Sequence, residues 1–423
     1  MLIFKIEGQI MTQKYDVVIV GGGAAGMCAA VNIKLRDRSI SVAIIEQLSR
    51  VGKKLITTGN GRCNISNINI NIDRYHGENK EFAEYALQNY DNYYAADFFS
   101  ELGVVFTYDE TGRAYPYSLQ ASSVIDALRF SLDELGVDVF LDTKVLSYKK
   151  SGAFFKLATN VDDFVAESLI IASGLYSGGE KLGSNGSMLD VLKKAGYKIV
   201  KTTPAIVQLK TETDVVKSLK GMKVNADVNL SINGTAVRGD FGEVLFCDYG
   251  LSGPPIMHIS REAERVHGEK EITLDLMSEY TFVNVCDMLN FRASALLSRP
   301  LGEFFTGMLN KRVGQAIIKL CDLKLTDSVS TLNSNDIKRM ANVIKGMKFK
   351  VLGTTDFENS QDTAGGLDTN QFNPRTMESK LEKGLYCIGE VLDIDGDCGG
   401  FNLQWAWSSA ICAANAVCES FGA

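Results

Sequence analysis

Histidine is scarce in this chain, with only His76, His258 and His267 among 423 residues. None of them stands in an HExxH motif or in the close spacing that a metal site requires. No motif supports a serine–histidine nucleophile either. The sequence therefore argues against metalloprotease and serine hydrolase chemistry, and we expect no metal. We interpret His258 as a structural residue, with substrate lining as the alternative.

Paired cysteines are also absent: the nine cysteines are scattered, and none forms a CxxC motif. Such an odd, unpaired set is not typical of a disulfide framework or a zinc site. The N-terminus, MLIFKIEGQI, lacks the basic segment and apolar core of a secretory signal. We therefore expect reduced thiols and a cytoplasmic location. Met11 is a candidate start, because MTQKYDVVIV resembles a natural beginning, and residues 1–10 would then be an extension.

Two further absences concern membranes and nucleic acids. The longest apolar stretches, 17–31 and 405–417, are interrupted and too short for a bilayer span. The net charge is −7, whereas a nucleic-acid surface needs clustered lysine and arginine. We expect a small-molecule substrate as the partner, and neither a membrane nor a nucleic acid. With 45% hydrophobic residues in 423, the chain has the composition of a globular protein of more than one domain.

The chain does contain a dinucleotide-binding pattern near its start. The apolar strand YDVVIV runs into Gly21, Gly23 and Gly26 in GxGxxG spacing. The first glycine permits the turn from strand to helix, the second lets the backbone approach a pyrophosphate, and the third lets the helix pack closely on the strand. A second apolar strand ends at Glu46, which is placed to bind ribose hydroxyls and to repel the extra phosphate of NADP. This pattern by itself permits FAD or NAD.

A second signal lies at the C-terminus, in GLYCIGEVLDIDGDCGGFNLQWAWSSA. An apolar strand leads through an acidic, glycine-rich loop into a helix that starts near Gly400. In dinucleotide flavoproteins this arrangement sets a carboxylate on the ribityl chain and directs a helix N-terminus at the flavin. Glu390, Asp395 and Asp397 are the candidate ribityl partners. Because no second GxGxxG occurs, we assign the single fingerprint to FAD, with NADH or NADPH as a transient electron donor.

Local patterns divide the chain into four segments. Residues 12–202 alternate strands and helices, and their strand ESLIIASG ends in small residues that let a ligand approach the backbone. Residues 203–277 show short alternating runs between Gly and Asn turns, which predict an inserted β-rich domain. Residues 278–347 show helical periodicity and predict an inserted helical subdomain. The strand-like KFKVLGT is expected to begin the second part of the first domain, residues 348–423.

Four motifs carry a resemblance to a known family: VVIVGGGAAGMCAA, RVGKKLITTGNGRCNISN, TAGGLDTNQFNPRTMESK and the C-terminal segment above. Together they resemble the YhiN/BaiN-type FAD-binding flavoproteins over nearly the whole chain. That family includes NAD(P)/FAD-dependent oxidoreductases, aminoacetone-oxidase-like proteins and bile-acid-operon ene-reductases. The resemblance implies an α/β fold, in which a glutathione-reductase-type FAD-binding Rossmann domain is interrupted by a β-barrel-like domain and a small helical subdomain.

The resemblance also implies cofactor contacts beyond the fingerprint. Lys53 and Lys54 would lie near the nucleotide, and the loop 59–64 would run along the cofactor toward the flavin. The C-terminal segment would contact the ribityl chain, the phosphates and the pyrimidine edge. With the fingerprint and the small residues after ESLIIASG, the candidate cofactor-binding residues are Gly21, Gly23, Ala24, Ala25, Gly26, Glu46, Gln47, Lys53, Lys54, Gly59, Asn60, Gly61, Arg62, Cys63, Asn64, Val145, Ala172, Ser173, Gly174, Gly389, Glu390, Asp395, Gly400, Asn402 and Leu403.

Two residues are candidates for catalysis. Cys63 sits in the loop expected near the flavin, where Arg62 would lower the pKa of the thiol and favour the thiolate. The alternative is a packed or flavin-touching thiol, since no second cysteine stands in CxxC spacing. Tyr115, in TGRAYPYS, is a candidate proton donor, with a turn packed on a neighbouring helix as the alternative. Trp405 and Trp407 are interpreted as packing residues.

The expected activity is that of an FAD-dependent oxidoreductase. It would transfer a hydride equivalent between NAD(P)H and a small organic substrate. Reduction of an activated C=C bond is the first hypothesis for this reaction. A flavin-dependent amine or amino-ketone oxidase is the alternative enzyme. An FAD-binding protein without turnover, acting as a redox sensor or an RNA-modification accessory protein, is the alternative outside enzymes.

Overall fold

The computed structural model describes residues 12–422, and the candidate start at Met11 and the extension before it lie outside the described residues. The chain divides into two compact units. Unit 1 comprises residues 12–203 and 361–422, and unit 2 comprises residues 204–360. The chain therefore leaves unit 1, forms unit 2 and then returns.

The first segment of unit 1 alternates strands with helices. Its strands are β1 (Thr12–Val20), β2 (Val42–Ile45), β3 (Ser66–Asn67), β4 (Tyr75–His76), β5 (Phe106–Tyr108), β6 (Arg113–Pro116), β7 (Asp138–Phe140), β8 (Val145–Ser151), β9 (Phe154–Thr159), β10 (Asp163–Ile171) and β11 (Ile199–Ala205). Its helices are α1 (Ala24–Arg36), α2 (Glu84–Asn89), α3 (Asn92–Glu101), α4 (Ala121–Glu134) and α5 (Ser187–Lys194).

Unit 2 and the returning segment follow in order. The strands of unit 2 are β12 (Leu209–Thr211), β13 (Lys223–Ile232), β14 (Thr235–Phe246), β15 (Gly250–Ser252), β16 (Lys270–Asp275) and β17 (Met347–Thr354). Its helices are α6 (Thr213–Ser218), α7 (Pro254–His258), α8 (Ser260–Arg265), α9 (Phe282–Ala295), α10 (Lys311–Leu320) and α11 (Ser334–Lys345). The returning segment of unit 1 forms β18 (Asp362–Leu367), β19 (Leu385–Cys387), β20 (Asp395–Gly396) and α12 (Phe401–Ser420).

The centre of unit 1 is a sheet in which β7, β2, β1 and β10 lie side by side as parallel strands. β19 is a further parallel partner of β10, and β9 and β8 continue the sheet in antiparallel orientation. The apolar run 17–20 of β1 is buried, as is typical of a parallel strand covered on both faces. Helix α1 connects β1 to β2 and packs against α12. This arrangement confirms the predicted Rossmann-type α/β fold.

Unit 2 is built on a closed antiparallel barrel. Its strands follow the order β12, β15, β14, β13, β16 and β17, and β17 pairs back with β12. Alternate residues are buried, as with Val228, Leu230 and Ile232 in β13, because side chains point in turn to the interior and the exterior of a barrel. Helices α9, α10 and α11 share one hydrophobic core with these strands. The predicted barrel-like insertion is confirmed, and the helical segment belongs to the same compact unit.

The strand that contains KFKVLGT does not begin the return to unit 1. It is β17, which pairs with β16 and β12 and closes the barrel. Its buried residues Met347, Phe349 and Val351 alternate with exposed ones, which gives the strand one apolar face suited to the barrel interior. The second segment of unit 1 therefore begins near residue 361 and not at residue 348.

Two glycines determine how closely α1 approaches the sheet. Gly21 has a φ of +108°, and a Cβ on it would lie 2.5 Å from the carbonyl oxygen of Ala172 at the end of β10. A Cβ on Gly26, inside α1, would lie 2.0 Å from the carbonyl oxygen of Gly21. Neither position can accept a side chain without moving backbone. By contrast, a Cβ on Gly23 would meet no described atom within 4 Å.

We expect Gly26→Ala to lower the free energy of unfolding by about 3 kcal/mol or more, because the added methyl overpacks against backbone that cannot rotate away. Gly23→Ala is the matched control and should cost less than about 1 kcal/mol, since its methyl has room and its φ of −82° suits alanine. Urea-induced unfolding of the cofactor-free proteins measures both. Equal losses in the two variants would contradict the packing argument.

Candidate functional site

The glycine-rich turn after β1 leads into an exposed helix N-terminus. Gly23 is the N-cap of α1, and within residues 12–422 no side chain caps this helix. The first turn consists of small and apolar residues, so its unpaired N–H groups remain available. Because the space above Gly23 holds no described atom, an anionic group can reach these donors. This cradle suits the pyrophosphate of a dinucleotide.

Glu46 lies directly after β2 and is anchored to the same turn. Its Oε2 accepts a hydrogen bond from the Gly22 N–H at 2.8 Å, and its Oε1 accepts one from the Leu48 N–H at 2.9 Å. Burial raises the pKa of this carboxyl above its usual value, and the backbone donors oppose that rise. A carboxylate can accept about four hydrogen bonds. Glu46 is therefore fixed in place and retains acceptor capacity for ribose hydroxyls.

A second exposed helix N-terminus belongs to α12. Its N-cap is Gly400, with a φ of +99°, and a Cβ there would lie 2.4 Å from the carbonyl oxygen of Ser66. Among the described side chains, none caps this helix. Asn402 instead binds the preceding loop: its Oδ1 accepts from the Gly396 N–H at 2.5 Å, and its Nδ2 donates to the Gly396 carbonyl at 2.9 Å. The positive end of the α12 dipole is thus held ready for a partly negative group.

A charged cluster connects three segments that are distant in sequence. Lys54 Nζ donates to Glu390 Oε2 at 2.5 Å, and Ser177 Oγ donates to Glu390 Oε1 at 2.5 Å. Lys54 also donates to the Ser177 hydroxyl. These residues come from the loop after β2, the loop after β10 and the short helical turn after β19. Both oxygens of the predicted ribityl partner Glu390 are therefore oriented by neighbouring side chains.

Asp362 lies beside this cluster and was missed by sequence reasoning. It opens β18, its side chain is buried at 3% exposure, and its Oδ1 accepts from the Thr363 N–H at 2.9 Å. Its Oδ2 has no hydrogen-bond partner among the described residues. Burial, together with the negative charge of Glu390, raises the pKa of Asp362 well above its usual value. The sequence signal was an acid at the start of an otherwise small and apolar strand, DTAGGL.

One cavity of about 200 Å³ in unit 1 brings these features together. It is lined by both helix N-termini, by Glu46, by the Lys54–Glu390 pair and by Asp362. The sequence-predicted residues that line it are Gly21, Gly23, Ala24, Ala25, Glu46, Gln47, Lys53, Lys54, Val145, Ala172, Ser173, Gly174, Gly389, Glu390, Asn402 and Leu403. Trp405, predicted only to pack, also lines it and donates from Nε1 to the Gly389 carbonyl at 3.2 Å.

Other predicted residues are not among those that line the cavity. They are Gly26, Gly59, Asn60, Gly61, Arg62, Cys63, Asn64, Tyr115, Asp395 and Gly400. Thr58, immediately before the loop 59–64, does line it. Asn64 lies beside the α12 N-terminus, because a Cβ on Gly400 would be 2.8 Å from its Oδ1, and that oxygen has no partner in the described chain. The last residue of this loop therefore packs beside the α12 N-terminus.

The expectation that Arg62 lowers the pKa of Cys63 is wrong. Cys63 is fully buried, and burial raises the pKa of its thiol to about 12. The guanidinium of Arg62 instead lies over the ring of Tyr115, 5.0 Å from its centroid. Tyr115 is itself buried in β6 at 5% exposure. Desolvation therefore outweighs the effect of a cationic neighbour in sequence.

The candidate acid Asp397 and two of the histidines bind other side chains. Asp397 accepts from Arg74 at 3.4 Å and pairs with His76 at 2.9 Å. His258, in unit 2, bonds through Nδ1 to Asp240. Within residues 12–422 no three His, Cys, Asp or Glu side chains are grouped as a metal ion would need. A search of the same residues finds no helix with the length and apolar character of a membrane span.

The cavity fits the FAD that the sequence predicts. An open cradle above Gly23 suits the pyrophosphate, and Glu46 suits the adenosine ribose. The oriented carboxylate of Glu390 suits the ribityl hydroxyls, and the α12 N-terminus suits the flavin pyrimidine. The buried, unsatisfied Oδ2 of Asp362 also calls for a ligand atom, because an unpaired polar atom in the interior is costly.

We expect Gly23→Ala to weaken FAD binding at least about tenfold, or about 1.4 kcal/mol, because the methyl would occupy the space that admits the pyrophosphate. Quenching of FAD fluorescence during titration of the cofactor-free protein measures the affinity. The unfolding experiment above supplies the control for an intact fold. If the folded Gly23→Ala variant bound FAD with unchanged affinity, the pyrophosphate would not bind at this turn.

We also expect Cys63 to resist iodoacetamide at mildly alkaline pH in the native protein, because its thiol is buried and has a pKa of about 12. Peptide mass spectrometry measures the modified fraction. The partly exposed Cys247 and Cys286 are internal controls, and Cys63 should react once urea unfolds the chain. Rapid labelling of native Cys63 would contradict its burial.

Comparison with known proteins identifies the family. Residues 15–416 match the HI0933-like protein Rossmann domain. The chain is 33% identical over 404 residues to the 3-dehydro-bile acid delta(4,6)-reductase of Clostridium scindens, covering 95% of this chain and 98% of that protein. It is 29% identical to the ribosomal RNA dihydrouridine synthase of Escherichia coli strain K12, covering 94% and 96%.

A solved structure of quinol fumarate reductase FrdA from E. coli aligns with a TM-score of 0.51 at 13% identity, over 97% of this chain and 71% of that one. At this identity the likeness concerns the fold alone. The resemblance to YhiN/BaiN-type flavoproteins is confirmed, and this chain, an FAD-dependent oxidoreductase, belongs to the HI0933-like Rossmann-domain family.

Proposed function

We propose that this oxidoreductase reduces a carbon–carbon double bond conjugated with a carbonyl in a small organic substrate, with NADH or NADPH as the transient donor. The observation that carries the proposal is the 33% identity, over 95% of the chain, to a reductase whose name places its action at the delta(4,6) positions of a 3-dehydro bile acid. Near-complete coverage of both chains means that the relative has a counterpart for almost every segment of this one.

The chain's own residues hold and tune the cofactor in this proposal. The α1 N-terminus and Gly23 would bind the pyrophosphate, Glu46 would bind the adenosine ribose, and Glu390 would bind the ribityl chain. Lys54 pairs with Glu390 at 2.5 Å, which fixes the position of this partly buried carboxylate. Bound FAD would supply the chemistry of hydride transfer between the nicotinamide donor and the substrate. The positive end of α12 favours the negative charge that the flavin gains on reduction.

Conjugation with a carbonyl makes the reduction chemically feasible. A hydride equivalent adds to the carbon remote from the carbonyl, and the electron pair of the double bond moves onto the carbonyl oxygen. A proton then adds to the carbon next to the carbonyl, so the substrate gains two hydrogens overall. The polarised alkene therefore needs a hydride donor and a proton source but no metal.

A second candidate is reduction of uracil in RNA. It is favoured by the 29% identity to the ribosomal RNA dihydrouridine synthase over 94% of this chain. The uracil ring also contains a double bond conjugated with a carbonyl, so the same hydride chemistry applies. The net charge of −7 opposes this candidate, because RNA binding relies on neutralising phosphates with clustered basic residues. We therefore rank the small-molecule substrate first.

The test is an anaerobic half-reaction experiment on FAD-loaded protein. NADH or NADPH should bleach the oxidised flavin band near about 450 nm, a property of the cofactor. A 3-oxo-4,6-diene steroid acid should then restore the band without oxygen, and its product should gain two hydrogens by mass spectrometry. FAD-depleted Gly23→Ala protein is the control, because it shows how much substrate the nicotinamide donor reduces without bound FAD.

Each other outcome contradicts the first proposal in a distinct way. Reoxidation by unmodified ribosomal RNA, and not by the dienone, would favour the uracil candidate. Bleaching by amines or amino-ketones, followed by recovery with oxygen, would favour an oxidase. Flavin that no donor of these classes can bleach would favour a binding protein without turnover.

A further inference from the structure

The carboxyl of Asp362 has a role that the cofactor contacts above do not explain. Its side chain is buried at 3% exposure and lines the cavity, yet its Oδ2 has no hydrogen-bond partner among the described residues. A buried polar atom without a partner destabilises the folded protein unless a ligand supplies one. The position is therefore built for a bound group and not for packing.

The carboxyl is held rigidly. Oδ1 accepts from the Thr363 N–H at 2.9 Å. The Thr363 hydroxyl in turn accepts from the Ser177 N–H at 3.0 Å. Ser177 is the residue that orients Glu390. The backbone that carries Asp362 is thus fastened to the same loop that orients the predicted ribityl partner.

The surrounding charges favour the uncharged acid. Burial raises the pKa of Asp362 most, and the negative charges of Glu390 and Asp395 raise it further. Lys54 has the opposite effect, but its ammonium already binds Glu390 and Ser177. These surroundings favour the protonated form of the carboxyl, and in that form its free oxygen can act as a hydrogen-bond donor.

We propose that Asp362 Oδ2 donates a hydrogen bond to the flavin half of the bound FAD and thereby favours the reduced cofactor. Asp362 is linked to Glu390 through Thr363 and Ser177, so we assign it to the ribityl and flavin half of the site and not to the adenosine half. Reduction places additional negative charge on the flavin, and a fixed neutral donor stabilises that charge without reorganising. A carboxylic acid kept neutral by its surroundings is an established way to provide such a donor.

The test compares Asp362→Asn with Asp362→Leu. The asparagine keeps the size and an N–H donor, whereas the leucine keeps the approximate size and removes the donor. The reduction potential of bound FAD, measured by equilibration with a reference dye, is the readout. In the leucine variant the preference of the protein for reduced over oxidised FAD should fall about tenfold. For a two-electron couple this lowers the reduction potential by about 30 mV. Asparagine should stay within about threefold of the parent protein, about 14 mV.

Glu46→Gln is the matched control, because Glu46 is another buried carboxyl that lines the same cavity at its adenosine end. It should weaken FAD binding and leave the potential unchanged. Asp362→Val, a residue suited to a strand, replaces the leucine variant if that one does not fold. A potential in the donor-free variant equal to that of the parent would overturn the proposal. A reduction potential in Asp362→Asn as low as that in Asp362→Leu would overturn it too, because the asparagine variant keeps a hydrogen-bond donor.

This inference rests on FAD as the cofactor and not on the choice of substrate. FAD content is therefore measured in every preparation. A parent protein that retains no FAD would overturn both the cofactor assignment and the role of Asp362. If the protein binds FAD and the variants show the expected potentials, but none of the tested substrates is reduced, the role of Asp362 would stand. Only the proposed function would be overturned.

Discussion

The close approach of α1 to the central sheet is the constraint on which the rest of unit 1 depends. It requires glycine at two positions, where a Cβ would lie 2.5 Å from the Ala172 carbonyl oxygen and 2.0 Å from that of Gly21. This approach aims the first N–H groups of α1 into the cavity. It also sets the Gly22 N–H within 2.8 Å of Glu46. One backbone turn therefore creates the anion site and positions the carboxylate beside it.

The cavity combines acidic side chains with positive helix ends in a way that suits FAD. The anionic pyrophosphate would meet the α1 N-terminus, whereas the neutral sugar and ribityl hydroxyls would meet carboxylates. Lys54 compensates Glu390 directly at 2.5 Å. Burial raises the pKa of Asp362, which favours the uncharged acid, and an uncharged acid needs no cation. The site thus holds several acids close together at a limited electrostatic cost.

The fold and the fingerprint end of the site followed from local sequence. The fingerprint is one continuous segment whose geometry depends on backbone sterics. It consists of the spaced glycines, an apolar strand on each side and an acid twenty residues after the last glycine. Predictions that depended on burial were less successful. Cys63 follows an arginine in sequence, but that arginine lies over Tyr115, and the thiol is desolvated. The strand β17 has the pattern of any half-buried strand, and pattern alone cannot tell which sheet it joins.

The sequence by itself determined the Rossmann unit and an inserted β-rich domain, because local patterns indicate both. It also determined the cofactor class, but only when the fingerprint was combined with the C-terminal segment and the absence of a second GxGxxG. Only the tertiary structure decided which acids reach the cavity. Glu390 meets Lys54 across 336 positions and Ser177 across 213, and Asp362 joins them from the start of β18. A side chain's protonation state depends on desolvation and on all charges around it. Those surroundings come from segments far apart in sequence, so no local pattern could reveal the unpaired oxygen of Asp362.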